Sequence, residues 1–307
     1  MVRALVTNAQ GSSFNFSDAV VPPDLRLIMI TIHPTAIVDP TAEIGENVEI
    51  GPYCVIGAYV EIGAGSKLHN HVTIEGPTTL GRDNEVYPFS VIGADPQDLK
   101  FRGEQAVCIV GDRNIIREHV TIHRGTQNGG GFTRVGNDNL FMVAAHVAHD
   151  CIVGSNCVIA NQVMIGGHAV IDDMVTIGGG AGIHHFATVG RLSFIGGLAR
   201  IKKDVPPYMI VEGDPAEVRG LNTIGLTRRN FDNREIAALR EAYKRLFRTN
   251  NGAARAMKNT MDELLDDYGA IPAVVHLCEC LRKSANGVRG RSAESYREDS
   301  KYATQPK

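Results

Sequence analysis

Seven of the eleven histidines in this 307-residue chain fall in one stretch: His119, His123, His146, His149, His168, His184 and His185. Imidazole gains and loses its proton near neutral pH, so such a cluster is suited to moving a proton on or off a substrate. Their spacing matters more than their number. His149, Gly167 and His185 follow one another in two steps of eighteen, and His168 and His184 flank that series. A base that takes a hydroxyl proton while the oxygen attacks a carbonyl works best beside a donor for the oxyanion that forms. A backbone N–H at a residue without a side chain, such as Gly167, is suited to that role. Asp150 follows His149 directly and is placed to orient or polarise its ring.

Steps of eighteen become a column only if the chain returns to the same place every eighteen residues. Aliphatic residues recur every six positions: Ile44, Ile50, Ile56, Ile62, Leu68, Ile74, Leu80, Val86 and Ile92, then Val110, Ile116 and Ile122, then from Val135 through Ile195. Neither a helix nor an ordinary strand has this period. Four positions after these aliphatic residues there is nearly always a small or β-branched one, as at Cys54, Val60, Ser66, Ala145, Cys151 and Ala169. Two positions in six therefore point inward, and the repeat predicts a solenoid. Asp95 to Ala106 and Gln127 to Thr133 escape the period and are expected as ejected loops, natural places for a substrate clamp. The Gly129-Gly130-Gly131 run in the second reads as a flexible turn, because no strand–glycine–helix context supports a phosphate-binding loop.

The coil is expected to end near Lys203, ahead of Pro206-Pro207, which lack amide donors. Asp232 and Glu235 then form a capping-box pattern before a helix carrying Ile236, Leu239, Tyr243 and Leu246. A second helix runs from Met257 to a stop at Gly269, and Pro272 opens a third. The expected organisation is an N-terminal extension over 1–28, a β-helix over 29–205, a helical domain over 206–283 and a disordered tail over 284–307. Met29 sits just before the repeat, so a translation start there, with the preceding segment as an upstream artefact, is one expectation.

Composition narrows the class. Thirty-three glycines and no tryptophan suit closely stacked backbone more than a thick core. A formal charge of -3 argues against a general nucleic-acid binder. No apolar stretch reaches membrane-spanning length and no secretory signal is evident, so a cytoplasmic protein without a membrane span is expected. The six cysteines form no C-x-x-C pair and are expected as reduced thiols.

The tandem hexads IGPYCV-IGAYVE-IGAGSK from Ile50 resemble the hexapeptide-repeat acyltransferases. That resemblance implies a left-handed parallel β-helix with three short strands in each eighteen-residue coil. Three further motifs narrow it: His146-Val147-Ala148-His149-Asp150-Cys151, the IHRGT stretch from Ile122 to Thr126, and Gln97-Asp98-Leu99-Lys100. Together they resemble the UDP-N-acetylglucosamine O-acyltransferases over about Ile32 to Arg282.

The resemblance implies transfer of a 3-hydroxyacyl chain from acyl carrier protein to the 3-hydroxyl of UDP-N-acetylglucosamine, the first step of lipid A synthesis. It implies His149 as base, Gly167 as oxyanion donor, and Gln97, Asp98, Lys100, His123, His146, His168 and His184 around sugar and acyl chain. It further implies Asn222, Arg228 and Arg229 on the phosphates, Gly197 as the acyl-length position, a homotrimer, and neither cofactor nor metal. Basic residues near the coil's end, among them Arg200, Lys202 and Arg245, would suit an acidic carrier protein. Family members often have Gln where this chain has His185, and Glu where it has Ile224. Acyl length, and a 3-hydroxyl versus a 3-amino acceptor, stay open. The hexapeptide carbonic anhydrases need a third histidine ligand where this chain has Gly190, and the related N-acyltransferases carry a uridine-binding domain that 28 residues are too few to form.

Overall fold

The computed structural model describes residues 5–6, 29–249, 254–287 and 290; the expectations for the N-terminal extension and the far tail otherwise lie outside them. Strands of two to five residues assemble into sheets of 12, 8 and 9 strands that form a left-handed parallel β-helix. Strand partners reproduce the eighteen-residue step, with Glu49 opposite Lys67 and Lys67 opposite Glu85. The step lengthens to 30 between Glu85 and Ile115 and to 25 between Ile115 and Leu140. Those excesses are the two ejected segments. Phe132 and Thr133 nonetheless rejoin the ladder opposite Val107 and Cys108, and Gln127–Gly129 forms a single 3-10 turn. From Leu140 through Val158, Thr176 and Phe194 the step is again eighteen.

One residue turns most of the corners. Three positions after the inward aliphatic, residues such as Tyr53, His71, Asp150, His168 and Phe186 adopt φ of 58 to 63°, in the left-handed region. This is costly for residues with a Cβ, but the corner amide is bonded to the coil before it. His168 N–H donates to His149 C=O at 3.0 Å and Phe186 N–H to Gly167 C=O at 3.1 Å. The residues just before the corners are thereby stacked, which makes His149, Gly167 and His185 a column.

The core is a narrow prism of aliphatic residues with small ones between them. Cys54, Cys108, Cys151 and Cys157 are free and buried there, and burial pushes Cys108, Cys151 and Cys157 up to about 12, which makes them poor nucleophiles. One inward column is polar. Asn84 Oδ1 accepts from Asn114 N–H and Nδ2, Asn114 Oδ1 accepts from Asn139 N–H and Nδ2, and Asn139 Oδ1 accepts from Cys157 N–H, all at 2.7–3.0 Å. This buried amide ladder crosses both places where the coil step lengthens.

Past Pro206-Pro207, Met209–Glu212 still pairs with the last full coil and Glu217–Leu221 folds back antiparallel on it. Extended backbone resumes there because Met209 and Val211 are buried. Four helices follow: α1 (Thr223–Arg228), α2 (Asn233–Tyr243, continued by a π-helical stretch over Lys244–Thr249), α3 (Ala254–Tyr268) and α4 (Pro272–Ala285). The Asp232/Glu235 capping box forms and Pro272 opens α4; the short α1 has no sequence signal beyond its cap, Asn222. Among the described residues no helix is long and apolar enough to cross a membrane.

In the buried core, Asn114→Ala removes the acceptor of the Asn139 N–H and Nδ2 and one of the two donors to Asn84 Oδ1. It is expected to lower stability by about 2–4 kcal/mol. Urea unfolding of the two proteins checks this; a loss below about 0.5 kcal/mol would remove the ladder as a register lock.

Candidate active site

His149 and Asp150 are the residues just before and at one corner, so their side chains leave the coil together. His149 Nδ1 lies 2.7 Å from Asp150 Oδ2. The Asp150 side chain is fully buried and that of His149 is 14% exposed. Thr126 donates twice to the same carboxylate, its N–H to Oδ1 at 2.6 Å and its hydroxyl to Oδ2 at 2.7 Å. Burial pushes the carboxyl up, but the hydrogen bonds from His149 and Thr126 and the nearby His168 ring outweigh it and hold it below the ordinary carboxylate range. An ionised Asp150 assigns the proton to His149 Nδ1 and leaves the lone pair on Nε2.

Gly167 lies against that ring on the next coil. A Cβ there would stand 2.7 Å from His149 Cε1 and 2.8 Å from Nε2, so any side chain would displace the imidazole. No described residue accepts from the Gly167 N–H. His168 meets His149 edge to face at 5.1 Å, with its Nε2 3.6 Å from Asp150 Oδ2, and its other side stacks on Phe186 at 4.4 Å. His184 and His185 stand ring to ring at 3.8 Å. The offered ligand atoms of His149, Asp150 and His168 lie within 4.8 Å of one another. Hydrogen bonding explains the contacts better than metal coordination, because Nδ1 and Oδ2 at 2.7 Å share a proton and both carboxylate oxygens already accept from Thr126.

Below this pair, His146 Nδ1 bonds the Thr121 hydroxyl at 2.7 Å and its ring meets His123 edge to face at 4.9 Å. Burial, then the His146 and His149 rings, push His123 down to about 4, against an opposing pull from Asp95. Burial and then His149 likewise lower His146. His123 Nδ1 is buried without a hydrogen-bond partner. An open groove of about 530 Å³ leads from His146 and His184 along Met164, Gly182 and Leu198. Met164 and Leu198 are 57% and 80% exposed, leaving the groove wall apolar and uncovered on this chain. A Cβ at Gly197 would touch only Gly179 backbone, at 3.4 Å or more.

The remaining candidates stand apart. Gln97 and Lys100 are exposed in the first ejected loop, where Asp98 Oδ1 caps the Lys100 N–H at 3.0 Å. Arg124 anchors that loop through Gly76 C=O, Gly93 C=O and the Asp95 carboxylate. Asn222 caps α1 through Gly225 N–H and donates to Leu192 C=O, so its amide ties the helical region to the coil. Arg228 and Arg229 are exposed, with Arg229 reaching Asn156 at 3.5 Å. Arg245 is held by Glu241 and Asp267, which weakens its case as a docking charge. Sequence reasoning passed over Thr126, Arg124 and Phe186. The IHRGT motif contained the first two, but only the coil register shows what they face.

The His123 shift makes a signed prediction. Its folded value of about 4 lies below the ordinary 6.5, so between those limits the unfolded chain binds the extra proton and stability falls as pH drops. His123→Asn should flatten that part of the profile. Denaturant midpoints at pH 7 and pH 4.5 for both proteins check it; parallel losses would contradict the assignment.

A family model described as UDP N-acetylglucosamine O-acyltransferase, domain 2, matches residues 204–290, and the bacterial transferase hexapeptide model matches 29–64 and 132–167. The UDP-N-acetylglucosamine O-acyltransferase of Moraxella catarrhalis is 44% identical, covering 85% of this chain and 99% of its own, with a TM-score of 0.80. The Bacteroides fragilis acyltransferase is 38% identical over the same shares, also at 0.80. That of Arabidopsis is 33% identical, covering 84% of this chain and 98% of its own, at 0.74. Hexad coil, imidazole column and these likenesses agree, and the chain belongs to the UDP-N-acetylglucosamine O-acyltransferase family of hexapeptide-repeat acyltransferases.

Proposed function

We propose that this chain transfers a 3-hydroxyacyl group from acyl carrier protein to the 3-hydroxyl of UDP-N-acetylglucosamine, the first step of lipid A synthesis, with His149 as general base. The observation that carries it is the His149–Asp150 pair at 2.7 Å with Gly167 against its ring. Nε2 takes the sugar hydroxyl proton as the oxygen attacks the thioester carbonyl. The Gly167 N–H meets the oxyanion, the C–S bond breaks, and the imidazolium returns its proton to the departing thiolate. Asp150 stays ionised throughout and stabilises the transient imidazolium. Direct transfer of this kind needs neither metal nor organic cofactor.

In this reading the coil over 29–205 carries the chemistry, and the region over 206–283 supplies phosphate contacts from Asn222, Arg228 and Arg229. Guanidinium forks match phosphate oxygens. Gln97, Asp98, Lys100, His123, His146, His168 and His184 hold sugar and acyl chain, and the chain lies in the groove beside Met164 and Leu198. Those exposed apolar residues suit a homotrimer in which a neighbour closes the groove. The carrier protein works in the cytoplasm, and so would this enzyme.

Purified protein with UDP-N-acetylglucosamine and 3-hydroxyacyl carrier protein should yield acylated sugar nucleotide by mass spectrometry, and His149→Ala should lower the rate by about 10²–10⁴. Product at equal rate from both proteins would remove His149 from the mechanism; product only from a 3-amino sugar would change the acceptor. With Gly197 as the acyl-length position, where a Cβ would meet only Gly179 backbone, long 3-hydroxyacyl donors should outcompete short ones, and Gly197→Met should reverse that order. Competition assays with mixed donors decide it, and preference for short chains in the native protein would sink the acyl-length role.

A further inference from the structure

The ejected segment from Gln127 to Thr133 closes on one residue, Asp150. Thr126, at its start, gives the carboxylate both its N–H and its hydroxyl; Thr133, at its end, accepts the Asp150 N–H at 2.8 Å. Between them Gly129 packs so closely on the carboxylate that a Cβ would lie 1.9 Å from its Cγ and 2.2–2.3 Å from its oxygens. The segment is folded back to do this: Gly129 N–H donates to the Thr126 hydroxyl at 3.2 Å and Gly131 N–H to Thr126 C=O at 2.8 Å. Gly130 and Gly131 take φ of 103° and 83°, whereas Gly129 does not adopt the left-handed region. Gly129 is thus glycine for close approach, and its two successors for backbone conformation.

We infer that this loop is a clamp for the catalytic pair: Thr126 and Gly129 are positioning residues that fix the Asp150 carboxylate and, through it, the His149 ring. The inference rests on the reading of His149 as general base. A carboxylate with several partners could rotate toward any of them, as His168 Nε2 stands only 3.6 Å from the oxygen that His149 shares. Two donors from Thr126, one on each oxygen, remove that rotation, and the Gly129 backbone covers the carboxylate and keeps water from competing for it. His149 then meets a fixed acceptor, and its Nε2 keeps one direction relative to Gly167.

The test compares the full-length wild type with Thr126→Ser, Thr126→Val and Gly129→Ala. Rates and KM are read for both substrates, and the low-field proton resonance of His149 Nδ1–H is followed by NMR. Thr126→Val removes one donor to a charged acceptor, and Gly129→Ala keeps every donor but pushes the carboxylate aside. Each should lower kcat about 10-fold or more and shift the low-field resonance, with both KM values within about twofold of wild type. Thr126→Ser keeps the hydroxyl and should restore kcat. Should Thr126→Val fail to fold, Gly129→Ala carries the test alone. Unchanged kcat and an unmoved resonance in a folded Gly129→Ala protein would overturn the clamp, as would a kcat loss in Thr126→Ser equal to that in Thr126→Val. If the wild type acylates no sugar nucleotide, the functional reading fails, and the resonance still decides whether the loop fixes the pair.

Discussion

Most corners of the coil, including those of the imidazole column, are turned by a single left-handed residue whose amide is bonded to the coil before it, and this bond sets where the side chains of the column stand. Strands of two residues have little cohesion of their own, so the stack of coils is cooperative: each coil supplies acceptors for the next. The same bonds that join His168 to His149 and Phe186 to Gly167 bring a glycine against the proposed base. Catalytic geometry here is thus a by-product of register. Where the coil step lengthens, register is most at risk, and there the buried Asn84–Asn114–Asn139 ladder crosses the core. An inward amide column costs hydrophobic burial, and its full satisfaction is what makes it tolerable.

Electrostatics give the histidine cluster its division of labour. The Asp150 carboxylate contacts both His149 and His168, and its charge is sustained by hydrogen bonds despite burial. His123 and His146 are driven toward neutrality by burial and by neighbouring imidazoles, and at His123 the pull of Asp95 does not offset this. Neutral imidazoles beside the pair can accept or donate a hydrogen bond to a sugar without adding positive charge next to the base. In the proposed transfer, the apolar groove beginning at His146 and Ala148 would take the acyl chain beside the imidazole cluster.

Much of this was legible because hexads are periodic. The six-residue pattern gave the solenoid, the ejected loops and, through the step of eighteen, the His149–Gly167–His185 column, none of which depends on side-chain detail. Thr126 and Gly129 were not legible in the same way. They act across a loop whose path no periodicity constrains, and a glycine run reads the same whether it is loose or pressed against a carboxylate. The strand pair beyond Pro206-Pro207 was also missed, since buried Met209 and Val211 outweigh the local signal of two prolines. Asn222 drew notice through the family resemblance, and its structural part, the cap of α1, came only with the structure.

The central claim is that His149 Nε2 and the Gly167 N–H face one reacting centre. A crystal structure of the protein with acylated UDP-N-acetylglucosamine tests it most directly. The account predicts the ester oxygen joined to the sugar within hydrogen-bonding reach of His149 Nε2, the ester carbonyl directed at Gly167 N–H, and the acyl chain along Met164 and Leu198. A product bound with its ester away from His149 would contradict it.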